Sequence, residues 1–208
     1  PDYQIKSVGS NIKFGVPYTE VDRVFFGTGI EVFSIYATTN TPIPYQNYVT
    51  SYGGTVPGRL QTYNVPLTVG WARDARDSGL VPTRGNLQRF NADVSVAGDV
   101  RYYRANYQFQ QYIPLTKKFT LAFNSDIGWG QGLGGREYPL FKNFYVGGQG
   151  SVRGFQQSTI GPASTTAGVY LGGSKKLVFN TEFMTPFPGA GTDKTLRLFT
   201  FMDAGRAY

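Results

Sequence analysis

The residues of this chain that could do chemistry are set among glycines. Between Gly147 and Pro162 the sequence reads Gly-Gly-Gln-Gly-Ser-Val-Arg-Gly-Phe-Gln-Gln-Ser-Thr-Ile-Gly-Pro, which leaves one cation, Arg153, in the longest stretch without a strand pattern. A guanidinium is neither nucleophile nor proton shuttle near neutral pH; its planar fork of donors suits carboxylates. Loops well beyond the usual length are commonly functional or disordered. Disorder is favoured by high net charge and few aromatics, whereas this stretch carries little charge and is flanked or interrupted by Phe144, Tyr145, Phe155 and Ile160. It is expected to fold back onto the rest of the chain, where Arg153 requires a carboxylate.

Other chemistries find little support. The 208 residues include no Cys and no His, which removes thiolate and imidazole metal sites, Cys nucleophiles and every Ser-His-Asp arrangement. Gly130-Gln131-Gly132-Leu133-Gly134-Gly135 fits the dinucleotide pattern G-x-G-x-x-G. No helical pattern follows it and no βαβ unit contains it, so that reading is rejected. The carboxylates Glu31, Asp93, Asp126 and Glu182 fall on polar strand faces, but no pair has a spacing that argues for acid–base work. No catalytic residue, cofactor or metal is expected. The net charge is +7, but the cations are scattered rather than gathered in a stripe, so no nucleic-acid partner is expected.

The elements that must position Arg153 are strands. With 27 Gly, 15 Tyr, 16 Phe and only 16% charged residues, against roughly 25% in soluble domains, the composition points to β structure. Val8, Ser10, Ile12, Phe14 and Val16 alternate with polar or small residues, and Val24 to Ser34 repeats the pattern with Phe25 and Phe33 misplaced on the polar face. Thr38 to Arg59, rich in Pro and Gly, reads as a loop. Tyr63 to Trp71 follows, with Pro66 where a ladder donor is needed, a residue that belongs at an edge or bulge. Asp74 to Asn86 is a charged connection. Gln88 to Val96 ends at Gly98-Asp99, a tight hairpin turn, and Tyr103 to Ile113 returns. Pro114 to Lys118 turns the chain into Phe119 to Trp129. After the glycine-rich loop, Leu177 to Phe187 and Leu196 to Met202 complete eight strands joined by a turn from Pro188 to Lys194. Arg197, Phe199, Phe201 and Asp203 share the polar face of the last.

Alternation of period two also describes a soluble sandwich. The polar faces, which carry Arg, Lys, Asp, Glu, Asn and Gln on long strands with Tyr and Trp near strand ends, favour a membrane barrel. No apolar run approaches the ~18–20 residues of a membrane-spanning helix, whereas spanning strands need only ~9–11. Pro1-Asp2-Tyr3 is not the start of a signal peptide. A barrel of eight strands is filled by its own side chains, so the loop between 132 and 172 stays outside or the barrel has further strands.

Val152-Arg153-Gly154-Phe155, preceded by Phe144-Tyr145-Val146-Gly147-Gly148 and followed by Thr159-Ile160-Gly161-Pro162, resembles the barrel domain of the BamA-type outer-membrane protein assembly factors. Their superfamily includes the two-partner-secretion transporters. Phe14 to Glu20, Gly130 to Glu137 and Phe201-Met202-Asp203-Ala204-Gly205 resemble the same proteins in the same order. The resemblance implies an all-β, antiparallel transmembrane β-barrel of about sixteen strands. This chain would be a partial barrel domain over residues 1–208, covering roughly the sixth to thirteenth strands, with terminal strands and periplasmic POTRA domains lying elsewhere. Residues 132–172 would be an external loop folded into the lumen, with Arg153 held by the wall acids Glu20 and Asp203.

The function implied is a non-enzymatic insertase in the outer membrane of a Gram-negative bacterium. It would act on unfolded β-barrel client proteins, in contact with outer-membrane lipids and with accessory lipoproteins bound through the periplasmic domains. A polypeptide-exporting pore of the two-partner-secretion type, a passive porin and a soluble carbohydrate-type β domain are the alternatives.

Overall fold

The computed structural model describes residues 3–164, 168–189 and 195–208. Eight strands form one antiparallel sheet in chain order: β1 (Tyr3–Pro17), β2 (Asp22–Ala37), β3 (Gly58–Asp74), β4 (Gly85–Gly98), β5 (Tyr102–Pro114), β6 (Thr120–Gly132), β7 (Lys175–Pro186) and β8 (Arg197–Ala207). Each strand pairs with its successor, and β1 and β8 do not pair with each other among the described residues. Up-and-down order follows from the turns, because strands joined by short reversals pair with their sequence neighbours. The turn expected from Pro188 to Lys194 falls partly outside the described residues, at 190–194.

Register assigns the faces. Gln110, Asn124, Asn180 and Asp203 are opposite one another across β5 to β8, so the even residues of β5 to β7 and the odd residues of β8 share one face. Continued through β4 and β3, the same face receives Asp93, Thr68 and Asn64, and from β2 and β1 it receives Glu31 and Gly9. The opposite face presents Ile12, Phe14, Phe26, Ile30, Leu67, Val69, Phe179 and Met202, all exposed. That is the apolar-out, polar-in pattern of a spanning β-barrel.

Two irregularities have physical causes. The register shifts between Val65 and Pro66, where Pro66 faces Ser95 and Val65 faces Ala97, so the proline sits at a bulge that spares the ladder a missing donor. The 38–59 segment is not wholly loop: it contains a helix, α1 (Ile43–Ser51), with proline in its first turn and Tyr45, Tyr48 and Val49 buried along one side. Tyr48 and Val49 close over Ile35, Ala37 and Leu60 at the end of β2 and the start of β3, with Leu140 and Phe141 of the long loop packed against them.

The inner face is concave. Arg197 at the start of β8 donates to the carbonyls of Pro82 and Val81, at 3.0 and 3.3 Å, in the connection between β3 and β4. That connection, unusually long for its side of the sheet, therefore reaches across to the far strands.

Candidate functional site: an arginine lock on the inner wall

The described residues between Gly132 and Lys175 lie on the inner face, and glycines in the wall make room for them. A Cβ at Gly130 would lie 2.4 Å from the Tyr138 ring, one at Gly128 would lie 2.7 Å from Phe144, and one at Gly205 would lie 2.7 Å from Val152. The run Gly130 to Gly135 thus begins as a flattened strip of wall rather than a phosphate cradle. Phe144 and Gly173 exchange backbone hydrogen bonds of 2.7 and 2.9 Å, which pinch the two stems of the loop together. Further in, Ile160 N–H donates to the Val146 carbonyl at 2.9 Å. Val146 and Val152 bury against Val178 of β7 and Ala207 of β8, forming a small apolar cluster with Ile160.

Between those two valines the chain turns through Gly147 and Gly148, at φ +113° and +94°, a region that side chains other than glycine rarely enter. Gly147 N–H donates to Ser151 Oγ at 2.7 Å, and Gly148 N–H to the Val152 carbonyl at 3.1 Å. Asn180 of β7 donates to the Ser151 carbonyl at 2.6 Å, tying the turn to the wall. These contacts aim Arg153 at β7 and β8.

Arg153 Nε donates to Asp203 Oδ2 at 2.7 Å and Nη2 to Asp203 Oδ1 at 2.6 Å, a side-on bidentate pair. Its backbone N–H also donates to Oδ2, at 2.9 Å. Nη1 donates to Glu182 Oε1 on the neighbouring strand. The guanidinium carbon stands 3.8 Å from the centre of the Phe201 ring, so an aromatic face covers the plane that the carboxylates leave open. Only 2% of the Asp203 side chain is exposed, against 18% for Arg153 and 32% for Glu182. Hydrogen bonding to Asp203, seconded by Glu182, outweighs the opposing effect of burial and raises the guanidinium further above its ordinary pKa. The cation is permanent, and the arrangement is an ionic lock rather than a proton relay.

Around the lock, the motif residues divide their roles. Val152 is buried under the loop, Gly154 turns the chain at φ +84°, and Phe155 projects 58% exposed, outside the packing. The expected partner Glu20 is a correction. It is exposed in the turn between β1 and β2, at the far side of the sheet from β7 and β8, and it does not meet Arg153. Glu182 takes that place because its register partner is Phe201, two residues from Asp203, which brings both acids within reach of one fork. Glu182 was legible only as an inward charge; the β7–β8 register is what identifies it. Phe201, expected on the polar face with no role, is the stacking surface. Among the described residues no cluster of three or more acidic side chains gathers to hold a metal ion.

The chain can be placed among known proteins. The chain is 37% identical to the outer membrane protein assembly factor BamA of Neisseria meningitidis over 213 residues, covering 99% of this chain and 27% of that protein. It is 31% identical over 141 residues to the human sorting and assembly machinery component 50 homolog, covering 64% of this chain and 29% of that one. The crystal structure of BamA from Haemophilus ducreyi lacking POTRA domains 1–3 superposes with a TM-score of 0.92 at 24% identity, over 99% of this chain and 42% of that chain. This chain therefore spans under a third of the length of these curated relatives. The Omp85 superfamily domain matches residues 1–208 from end to end, and the chain belongs to the Omp85 superfamily.

Proposed function

We propose that this chain is part of the barrel of a non-enzymatic outer-membrane insertase, in which the inward loop braces the wall while β-barrel clients fold and enter the membrane. The observation that carries the reading is the Arg153 lock. It is a bidentate, stacked and largely buried pair to Asp203, reinforced by Glu182, in a chain similar along its whole length to a protein named an assembly factor. Val152, Arg153, Gly154 and Phe155 form the loop motif, and Asp203 and Glu182 the wall partners. Unfolded β-barrel proteins are the clients, outer-membrane lipids the surroundings, and accessory lipoproteins the partners of the wider assembly. The site is the outer membrane of a Gram-negative bacterium.

The test uses the full-length parent in liposomes and follows the rate at which a client barrel becomes protected from protease. Arg153→Ala is expected to slow protection while client binding persists. Unchanged client insertion with altered ion conductance would favour a transport pore and overturn the insertase reading.

A further inference from the structure

The lock fastens the loop to β7 and β8 only. The same loop meets the opposite part of the wall through a second charge pair. Lys142 Nζ donates to Glu31 Oε2 of β2 at 2.7 Å, and Asn64 of β3, fully buried, donates to the same oxygen at 3.2 Å. The Lys142 carbonyl accepts from Arg104 Nε of β5 at 3.1 Å and from the Tyr138 hydroxyl at 2.9 Å. Its side chain therefore reaches towards β2 while its backbone is held from β5. Beside it Phe141 stacks on Phe33 at 3.9 Å between ring centres, which gives the aromatic on the polar face of β2 a partner. Lys142 and Glu31 are 20% and 32% exposed, shielded enough for the pair to count for more than a surface bridge.

From these contacts we infer that Lys142 and Glu31 are positioning residues for client insertion. They form a second anchor, which makes the loop a strut from β2 to β8 rather than a flap hinged at one hairpin. Glu31 and Asp203 stand on strands six places apart in the sheet order. A strut fixed at both ends holds the spacing of distant strands, whereas the Arg153 lock alone would leave residues 133 to 144 held by packing, backbone contacts and one exposed hydrogen bond from Ser51 to Glu137. The inference rests on the insertase reading above for its functional half only.

The experiment compares the full-length parent with Glu31→Gln, Lys142→Gln and the exchanged pair Glu31→Lys with Lys142→Glu, in the liposome assay. Spin-label distances are read in parallel from Arg136 to Val8 and from Gly150 to Met202, four exposed positions. Loss of a coupling of ordinary size should slow client insertion about fivefold in each single variant. It should also broaden the first distance and leave the second, which reports the Arg153 lock, unchanged. The exchanged pair should restore both rate and distance. Wild-type insertion rates in the single variants, or an exchanged pair no better than either single, would overturn the inference. Should Arg153→Ala also leave insertion unchanged, the insertase reading fails, and the first distance still reports whether the anchor exists.

Discussion

The two ends of the sheet are closed in opposite ways. At the turn end, apart from the reach of Arg197 to Val81 and Pro82, the reversals are held by neighbours close in sequence: Thr19 Oγ1 accepts Asp22 N–H at 2.9 Å, Thr116 Oγ1 accepts Lys118 and Phe119 N–H at 3.1 Å, and Asp77 accepts Thr83 N–H at 2.9 Å. At the loop end, the described residues of the excursions at 38–57 and 133–174 fold inward and are held by residues far away in sequence. Arg153 is 50 residues from Asp203, and Lys142 is 111 from Glu31. Local polar caps make a turn; only tertiary contacts make a brace. The turn end should therefore tolerate single changes that the loop end does not.

The largest break in that contrast should come from Arg153→Ala or Asp203→Ala. Either leaves a shielded charge without its partner, and stability of the full-length parent in urea should fall by about 3–5 kcal/mol. Cleavage by protease within 147–162 should rise alongside. Arg153→Lys should rescue little, because a point charge cannot span both carboxylates. Next come the wall glycines. Gly205→Val pushes a side chain into Val152 and Gly128→Val one into the Phe144 ring, each with an expected cost of about 1–3 kcal/mol in the same titration. Phe201→Leu removes the stacking face but keeps both acids, so a loss of about 0.5–2 kcal/mol is expected, with loop cleavage nearly unchanged.

The smallest effect belongs to the turn end. Burial alone would raise the Asp77 carboxyl, but the Thr83 hydroxyl and the backbone N–H groups of Thr83 and Arg84 outweigh it and hold the pKa at about 2. A folded pKa below the unfolded value of about 3.9 stabilises above that value and ceases to do so as pH falls through about 2. The group is solvent-exposed, so Asp77→Asn should cost no more than about 1 kcal/mol at neutral pH. The difference between variant and wild type should vanish in acid unfolding near pH 2. An effect of Asp77→Asn as large as that of Arg153→Ala would abolish the contrast between the two ends.

The same division decides what could be read from the sequence. All eight strands and their faces were legible, because period two is a local property and a one-residue error would reverse every side chain. Asp203 could be placed inward on that basis. Helix α1 could not be seen, because nine residues containing proline look like punctuation until Ile35, Ala37 and Leu60 supply an apolar floor. Glu20 was expected at the lock and Glu182 was not, since the choice depends on which strands stand beside the loop tip. Phe33 and Phe201, misfits in the alternation, proved to be landing surfaces for the loop. An aromatic on a polar strand face is thus a non-local signal written in a local pattern.

One consequence of the lock concerns how β7 and β8 come to be aligned. Glu182 lies opposite Phe201, and Asn180 opposite Asp203, only in the observed register. Sliding β8 by one residue would turn Asp203 to the opposite face, and sliding it by two would carry Asp203 about 7 Å along the strand, away from the Arg153 N–H that the loop, tied to Asn180 of β7, holds against it. In either misalignment the bidentate pair between Arg153 and Asp203 is lost. The arginine is therefore a gauge of alignment: its fork fits the wall only where the hairpin is in step.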